Sequence, residues 1–182
     1  MLQKWNQVMN LVGPDSLIEI VNTLVLDSFH LAGFLSQIQL PASPLCWDFG
    51  SGAGIPGIPL RILWQKGNYY MVEIREKRVL FMRTALAKIN LPRTHVLQAR
   101  IENFLEKSEP ADLLVSRAFM PWEKLLGLMR GRLAPGGMIL IMAREPARKL
   151  PTALAERWNL VDEHSYRLPG KKTHYFRLLS SL

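Results

Sequence analysis

The chain has 182 residues, 48% of them hydrophobic, and a formal charge of +8. That length supports one domain with a substantial core and leaves no room for two large ones. No run reaches the ~18 consecutive apolar residues of a membrane span, and Met1 to Gly13 lacks the charged-then-apolar order of a secretory signal, so a soluble cytoplasmic protein is expected.

Cys46 is the only cysteine, which excludes an intrachain disulfide framework and a thiolate metal site. His30, His95, His164 and His174 are scattered without ligand spacing or a neighbouring nucleophile, so no metal site or hydrolytic triad is expected. The charge is uneven: residues 1–70 hold three Lys/Arg against four Asp/Glu, and residues 71–182 hold twenty against eleven. Concentrated positive charge fits a polyanion such as nucleic acid, and equally fits a solvated basic surface.

Residues 3–12 and 15–37 read as helices from the spacing of Trp5, Val8, Met9 and Val12, and then of Leu17, Ile18, Val21, Leu24, Val25 and Phe29. Asp15 is placed to cap the second, and the pair is expected to form an N-terminal cover over residues 1–40. From residue 45 the pattern alternates. Strands are expected at Leu45–Phe49, Tyr69–Ile74, His95–Ala99, Asp112–Ser116 and Met138–Ala143. Helices are expected at Gly57–Gln65, Glu76–Ile89, Glu102–Leu105, Trp122–Leu133 and Pro146–Trp158, with a Pro135-Gly136-Gly137 turn before the fifth strand. Strand-helix repetition implies a parallel sheet covered on both faces. Leu160–Leu168 and Thr173–Leu179 read as a terminal hairpin around Pro169-Gly170. Seven strands ending this way resemble the methyltransferase version of the doubly wound sheet, with the last strand antiparallel.

Asp48-Phe49-Gly50-Ser51-Gly52-Ala53-Gly54-Ile55-Pro56-Gly57 ends the first strand in a carboxylate and enters a glycine loop. Glycine permits positive φ and removes the Cβ that would keep a nucleoside from the main chain. In an open parallel sheet ligands bind beyond the carboxyl ends of the strands. Four segments share that rim: Asp48 to Gly50, Glu73, Arg100-Ile101-Glu102, and Ser116-Arg117-Ala118. Glu73, 21 residues beyond Gly52, stands where an acid accepts ribose hydroxyls, or simply pairs with Lys77. Ile101 with Glu102 suits an adenine face and edge, or Glu102 merely caps a helix. Arg117 is placed to touch cofactor, substrate or phosphate, or else forms a surface ion pair. Asp48 either faces a cationic amino group or orders the loop, and Trp5, beside Asn6 and Asn10, is the tryptophan best placed for substrate. Gly52 to Gly57 also fits the dinucleotide fingerprint, so a small nicotinamide-dependent oxidoreductase remains an alternative at this point.

More of the chain narrows the choice. Lys4-Trp5-Asn6, Asn10-Leu11, Leu26-Asp27-Ser28, the loop from Asp48 to Leu60, Glu73 with Lys77-Arg78, and Ser116-Arg117-Ala118-Phe119 occur in that order. Together they resemble the glucose-inhibited division protein B family, the ribosomal small-subunit methyltransferases G, over nearly the whole chain. The resemblance implies a Rossmann-like class I methyltransferase fold in a single domain, residues 1–182, with its core at 45–182. It implies S-adenosylmethionine as methyl donor and N7 of a guanine in 16S ribosomal RNA, free or in the small subunit, as acceptor. Cofactor contacts then fall on Gly50, Ile55, Ile101, Glu102 and Arg117, joined by Glu73 from the rim, and Asn6, Asn10 and Arg117 lie near the RNA. The chain departs from the family at Thr23-Leu24, where relatives carry Arg-His, and at Ala143-Arg144, where many carry Lys-Gly. A non-catalytic RNA-binding protein with a vestigial fold is the third reading.

Overall fold

The computed structural model describes residues 1–147 and 150–182. Its centre is a seven-stranded sheet in the order β3-β2-β1-β4-β5-β7-β6. The strands are β1 (Leu45–Phe49), β2 (Asn68–Glu73), β3 (Thr94–Gln98), β4 (Ala111–Arg117), β5 (Leu133–Ala143), β6 (Trp158–Arg167) and β7 (Thr173–Ser181). Strands β1 to β5 pair in parallel, and β7 runs antiparallel between β5 and β6. This is the doubly wound α/β arrangement expected from the alternating pattern.

Strand residues alternate between two cores, as the pleat requires. Cys46, Tyr69, Met71, Leu113, Val115, Leu140 and Phe176 face one cluster. Trp47, Phe49, Val72, Leu114, Ile139 and Leu179 face the other. Burial pushes the Cys46 thiol up to about 12, so it behaves as a small core residue.

On the first face lie α1 (Leu2–Met9) and a continuous helix made of α2 (Leu17–Ile20), a π-helical segment (Val21–Val25) and α3 (Leu26–Gln37). By length and composition this 21-residue helix, mean hydropathy 1.4, is long and apolar enough to cross a membrane. Its Leu31, Ala32, Phe34 and Leu35 instead pack into the first core. Ser16, not Asp15, caps it by accepting the Glu19 N–H at 3.1 Å. The first helix stops at Met9 because Asn10 turns left-handed at φ 46°.

The remaining helices are α4 (Gly57–Leu63), α5 (Glu76–Leu86), α6 (Ile101–Lys107), α7 (Trp122–Leu128) and α8 (Thr152–Ala155). Two expectations are corrected. The seventh helix ends at Leu128, and β5 already begins at Leu133: Ala111 pairs with Leu133 and Leu113 with Met138, so the Pro-Gly-Gly segment is a bulge within the strand. The helix expected at Pro146–Trp158 is only Thr152–Ala155, started after Pro151, and Trp158 belongs to β6; residues 148 and 149 lie outside the described residues.

Arg61, fully buried on α4, holds the N-terminal end of the sheet. Its guanidinium donates to the carbonyls of Trp64, Gln65, Lys66, Gly67 and Pro92 and to the Thr94 hydroxyl. Tyr69 and Trp64 present their rings to it at 5.6 and 5.8 Å. A planar five-donor fork suits such a carbonyl cage, whereas an ammonium does not.

Candidate active site

The winding reverses between β1 and β4, which are neighbours although β2 and β3 intervene in sequence. Beyond their carboxyl ends opens a cavity of about 810 Å³. Its floor is the glycine loop, with Gly50, Ser51, Gly52, Ala53 and Ile55 lining it. Gly50, Gly52 and Gly54 have φ of 67°, 57° and 72°, the left-handed region that the motif anticipates. A Cβ on Gly50 would collide with the Phe119 ring, so the loop is packed closely against the segment after β4.

Asp48 lies buried beneath the loop. Its Oδ2 accepts the Tyr69 hydroxyl at 3.2 Å, and the Ser51 hydroxyl donates to its backbone carbonyl at 2.7 Å. Burial outweighs these hydrogen bonds and the nearby Arg117 charge and pushes the carboxyl up to about 7. The Asp48 carboxyl has the backbone N–H of Gly57 beside it and does not line the cavity, so of the two roles open for Asp48 the arrangement favours ordering the loop.

Glu73 closes β2 directly under Gly52. The Gly52 N–H donates to its Oε2 at 3.0 Å, and the Ile74 and Arg75 N–H groups donate to Oε1 at 2.9 and 3.0 Å. Arg78 approaches Oε2 at 3.6 Å. Glu73 is thus a neighbour of the cavity lining through Gly52. Ile101 and Glu102 open α6 further along the same edge, where the Ala99 N–H donates to the Glu73 carbonyl at 3.2 Å. Ile101 is buried in the second core, Glu102 is exposed, and neither lines the cavity.

Arg117 does line it, half-buried at the end of β4, followed by Ala118 at φ 50°. Its Nε donates to Asp27 Oδ2 at 3.0 Å. The Tyr166 hydroxyl donates to Asp27 Oδ1, and burial together with Asp27 raises its pKa well above the ordinary phenol value. Asp27, Arg117 and Tyr166 come from α3, β4 and β6 and meet on one cavity wall. The sequence alone assigns no role to Asp27 or Tyr166. Its only signal is Leu-Asp-Ser inside an otherwise apolar helix, where a buried carboxylate needs a partner.

Asn6 and Asn10 are elsewhere. The Asn6 side chain is buried, accepting the Val12 N–H at 2.8 Å and donating to the Pro14 carbonyl at 3.2 Å, so it shapes the turn that brings Leu11 to Pro14 to the cavity edge. Asn10 is the exposed left-handed cap of α1. Trp5 packs edge-on against Phe81, centroids 5.5 Å apart, as a core residue. The cavity mouth carries positive charge from Arg78, Arg144, Lys171 and Lys172, with His174 beside them. Across it, Lys171 Nζ lies 3.8 Å from Glu19 Oε1, an exposed pair of little energetic weight.

A family model described as GidB, rRNA small subunit methyltransferase G, matches residues 1–175. The ribosomal RNA small subunit methyltransferase G of Oleidesulfovibrio alaskensis is 47% identical, covering 100% of this chain and 82% of that protein. Its counterpart in Nitratidesulfovibrio vulgaris is 51% identical over 91% and 75%. Among solved structures, a precorrin-6Y C5,15-methyltransferase from Geobacter metallireducens has a TM-score of 0.60 at 15% identity, covering 84% of this chain and 88% of that one. Coclaurine N-methyltransferase, solved with N-methylheliamine and SAH, has a TM-score of 0.53 at 17% identity, covering 65% and 35%. At these identities the structural likeness concerns the fold alone. The glycine loop that also suited a dinucleotide therefore sits in a methyltransferase: the chain belongs to the rRNA small subunit methyltransferase G family and is an S-adenosylmethionine-dependent rRNA methyltransferase.

Proposed function

We propose that the chain methylates N7 of a guanine in 16S ribosomal RNA, free or within the small subunit, acting in the cytoplasm as a single methyltransferase domain. The observation that carries this reading is one cavity that joins a loop of alternating left-handed glycines at the sheet's switch point to a basic mouth. Its volume of about 810 Å³ lies within the ~300–1,000 Å³ of small-molecule sites.

The residues present fit the methyl donor. Around Gly52 the nearest atom to an added Cβ is the flexible Arg78 Nη1 at 3.6 Å, so the space that a side chain would fill is open. Gly50 and Ile55 supply the loop contacts and Arg117 a cationic hydrogen-bond donor. Glu73 is proposed to take the ribose hydroxyls on Oε2, shared with the Gly52 N–H, and Ile101 with Glu102 to take the adenine along the same edge. When bound, the donor supplies an electrophilic sulfonium methyl group.

Guanine N7 carries a lone pair and no proton, so its methylation needs no general base. The cavity agrees with that requirement. Of its two acidic lining residues, Glu19 faces Lys171 and Asp27 is committed to Arg117 and Tyr166. The remaining work is orientation: the loop fixes the donor, Arg117 and the wall fix the purine, and the basic mouth holds phosphates, which removes entropy before the chemical step. Calorimetric titration tests the pocket. S-adenosylhomocysteine should bind with one-to-one stoichiometry and NAD should give no heat; the reverse would overturn the assignment of the cavity.

A further inference from the structure

Three side chains remote in sequence meet at the cavity wall. Arg117 donates through Nε to Asp27 Oδ2 at 3.0 Å, and the Tyr166 hydroxyl donates to Oδ1, so each carboxylate oxygen has its own partner. Asp27 is only 3% exposed and Tyr166 7%, whereas a quarter of the Arg117 side chain remains accessible. The Tyr166 ring cannot drift, because it stacks on Phe176 with centroids 4.2 Å apart and packs against His30 at 4.8 Å.

This geometry constrains Arg117 in an informative way. With Nε engaged behind it, the guanidinium plane is fixed, and its two Nη groups have no hydrogen-bond partner among the described residues. The backbone immediately after it is held at φ 50° on Ala118, a left-handed conformation that is unfavourable for an alanine. Such a departure persists only where the surroundings impose it, and it commonly accompanies a side chain that must be aimed.

We propose that Asp27 is a positioning residue for methyl transfer: anchored by Tyr166, it grips Arg117 through Nε and aims both Nη groups at an oxygen acceptor of the molecule in the cavity. The inference rests on the methyltransferase reading of that cavity. Two oxygen acceptors are available, the carboxylate of the methyl donor and O6 of the guanine. A bidentate grip on O6 and N7 together, usual in groove recognition, would occupy the attacking lone pair, so a guanine contact here is to O6 alone.

The test compares Tyr166→Phe, Asp27→Asn and Arg117→Ala, singly and in pairs, in the full chain. Methyl transfer to ribosomal RNA gives kcat and KM, calorimetry gives S-adenosylhomocysteine affinity, and thermal unfolding reports on the fold. Tyr166→Phe keeps the stacked ring and serves even if Asp27→Asn folds poorly. Each single change should lower kcat/KM by roughly 10- to 100-fold, with little further loss when combined with Arg117→Ala. Arg117→Lys, which has no Nε to be gripped, should not restore the rate. A fall in S-adenosylhomocysteine affinity identifies the donor carboxylate as the acceptor; unchanged affinity with reduced kcat identifies the guanine oxygen. Losses that multiply in the double variants, or that follow only the unfolding temperature, would overturn the positioning role. Full binding and turnover in Arg117→Ala would likewise overturn the positioning role, whereas absence of both S-adenosylhomocysteine binding and methyl transfer in the unaltered chain would overturn the reading of the cavity itself.

Discussion

Glu73 and Gly52 are joined by a 3.0 Å hydrogen bond from the glycine N–H to the carboxylate Oε2, so the residue assigned to ribose also shapes the loop that would receive it. Both Glu73 oxygens are engaged, since Oε1 accepts from Ile74 and Arg75. Glu73→Ala should therefore weaken S-adenosylhomocysteine binding by roughly 10- to 100-fold, the weight of hydrogen bonds to a charged group. Glu73→Gln should not recover it, because its amide nitrogen cannot accept. Isothermal titration calorimetry checks both; wild-type affinity in Glu73→Ala would remove Glu73 from the site.

Two glycines of the loop region separate binding from folding. A Cβ on Gly57 would lie 2.6 Å from Met71 Sδ and 2.8 Å from Asp48 Oδ2, so Gly57→Ala should destabilise the protein by about 1–3 kcal/mol. At Gly52 there is room, but φ is 57° and the new methyl group would stand at the cavity floor. Gly52→Ala should cost about 1 kcal/mol of stability and lose ligand affinity beyond that cost. Urea unfolding paired with calorimetry distinguishes the two.

Asp48 predicts a pH signature. Its folded-state carboxyl is raised from 3.8 to about 7, so its contribution to stability is fully present below pH 3.8 and is lost as the pH rises through about 7. Asp48→Asn lacks this titration. Between pH 4 and 8 the stability of the wild type relative to Asp48→Asn should fall by up to about 4 kcal/mol. Denaturant melts of the ligand-free proteins across that range check it, and a pH-independent difference would contradict it.

Arg61 should be among the most sensitive positions remote from the cavity. Removing its guanidinium takes the side-chain donor from the carbonyls of Trp64, Lys66 and Gly67, whereas Gln65 keeps Arg93 and Pro92 keeps the Thr94 hydroxyl. Arg61→Met should cost about 3–5 kcal/mol in urea unfolding, and Arg61→Lys should recover little of it because one ammonium cannot span the cage.

The basic mouth makes a prediction about salt. Replacing Arg144, Lys171 and Lys172 by Gln should reduce the slope of log affinity for ribosomal RNA against log salt by about 0.7–0.9 for each phosphate that is no longer neutralised. Arg93, just before β3 at the opposite end of the sheet, donates to the Gln65 carbonyl and serves as a control whose replacement leaves the slope unchanged.

The parts of this molecule legible in sequence are those governed by short-range pattern. Alternation at Cys46-Trp47 and Leu113-Leu114 marks strands buried on both faces, and the glycine spacing from Gly50 to Gly54 marks a loop with repeated positive φ. What stays hidden depends on contacts between distant segments. Nothing near Asp27 announces Arg117, 90 residues on, or Tyr166, 139 residues on. Arg61 reads as an ordinary helix cation until residues 64–67 and 92–94 close around it. Asn6 reads as available for substrate, but its amide is used by the neighbouring turn. The helix from Trp122 is shorter than expected because the chain turns at Met129 to Arg132, with Gly131 at φ 67°, and enters β5 at Leu133, and the one expected from Pro146 is interrupted by Pro151, although the apolar periodicity continues through both.

The most direct measurement is transfer of a labelled methyl group from S-adenosylmethionine to small-subunit ribosomal RNA that lacks the modification, followed by nuclease digestion and mass identification of the product nucleoside. The account predicts label in 7-methylguanosine at a single position of 16S RNA, abolished by Gly52→Ala. Label on an exocyclic amine or on ribose, or no transfer to naked RNA or to subunits, would contradict it.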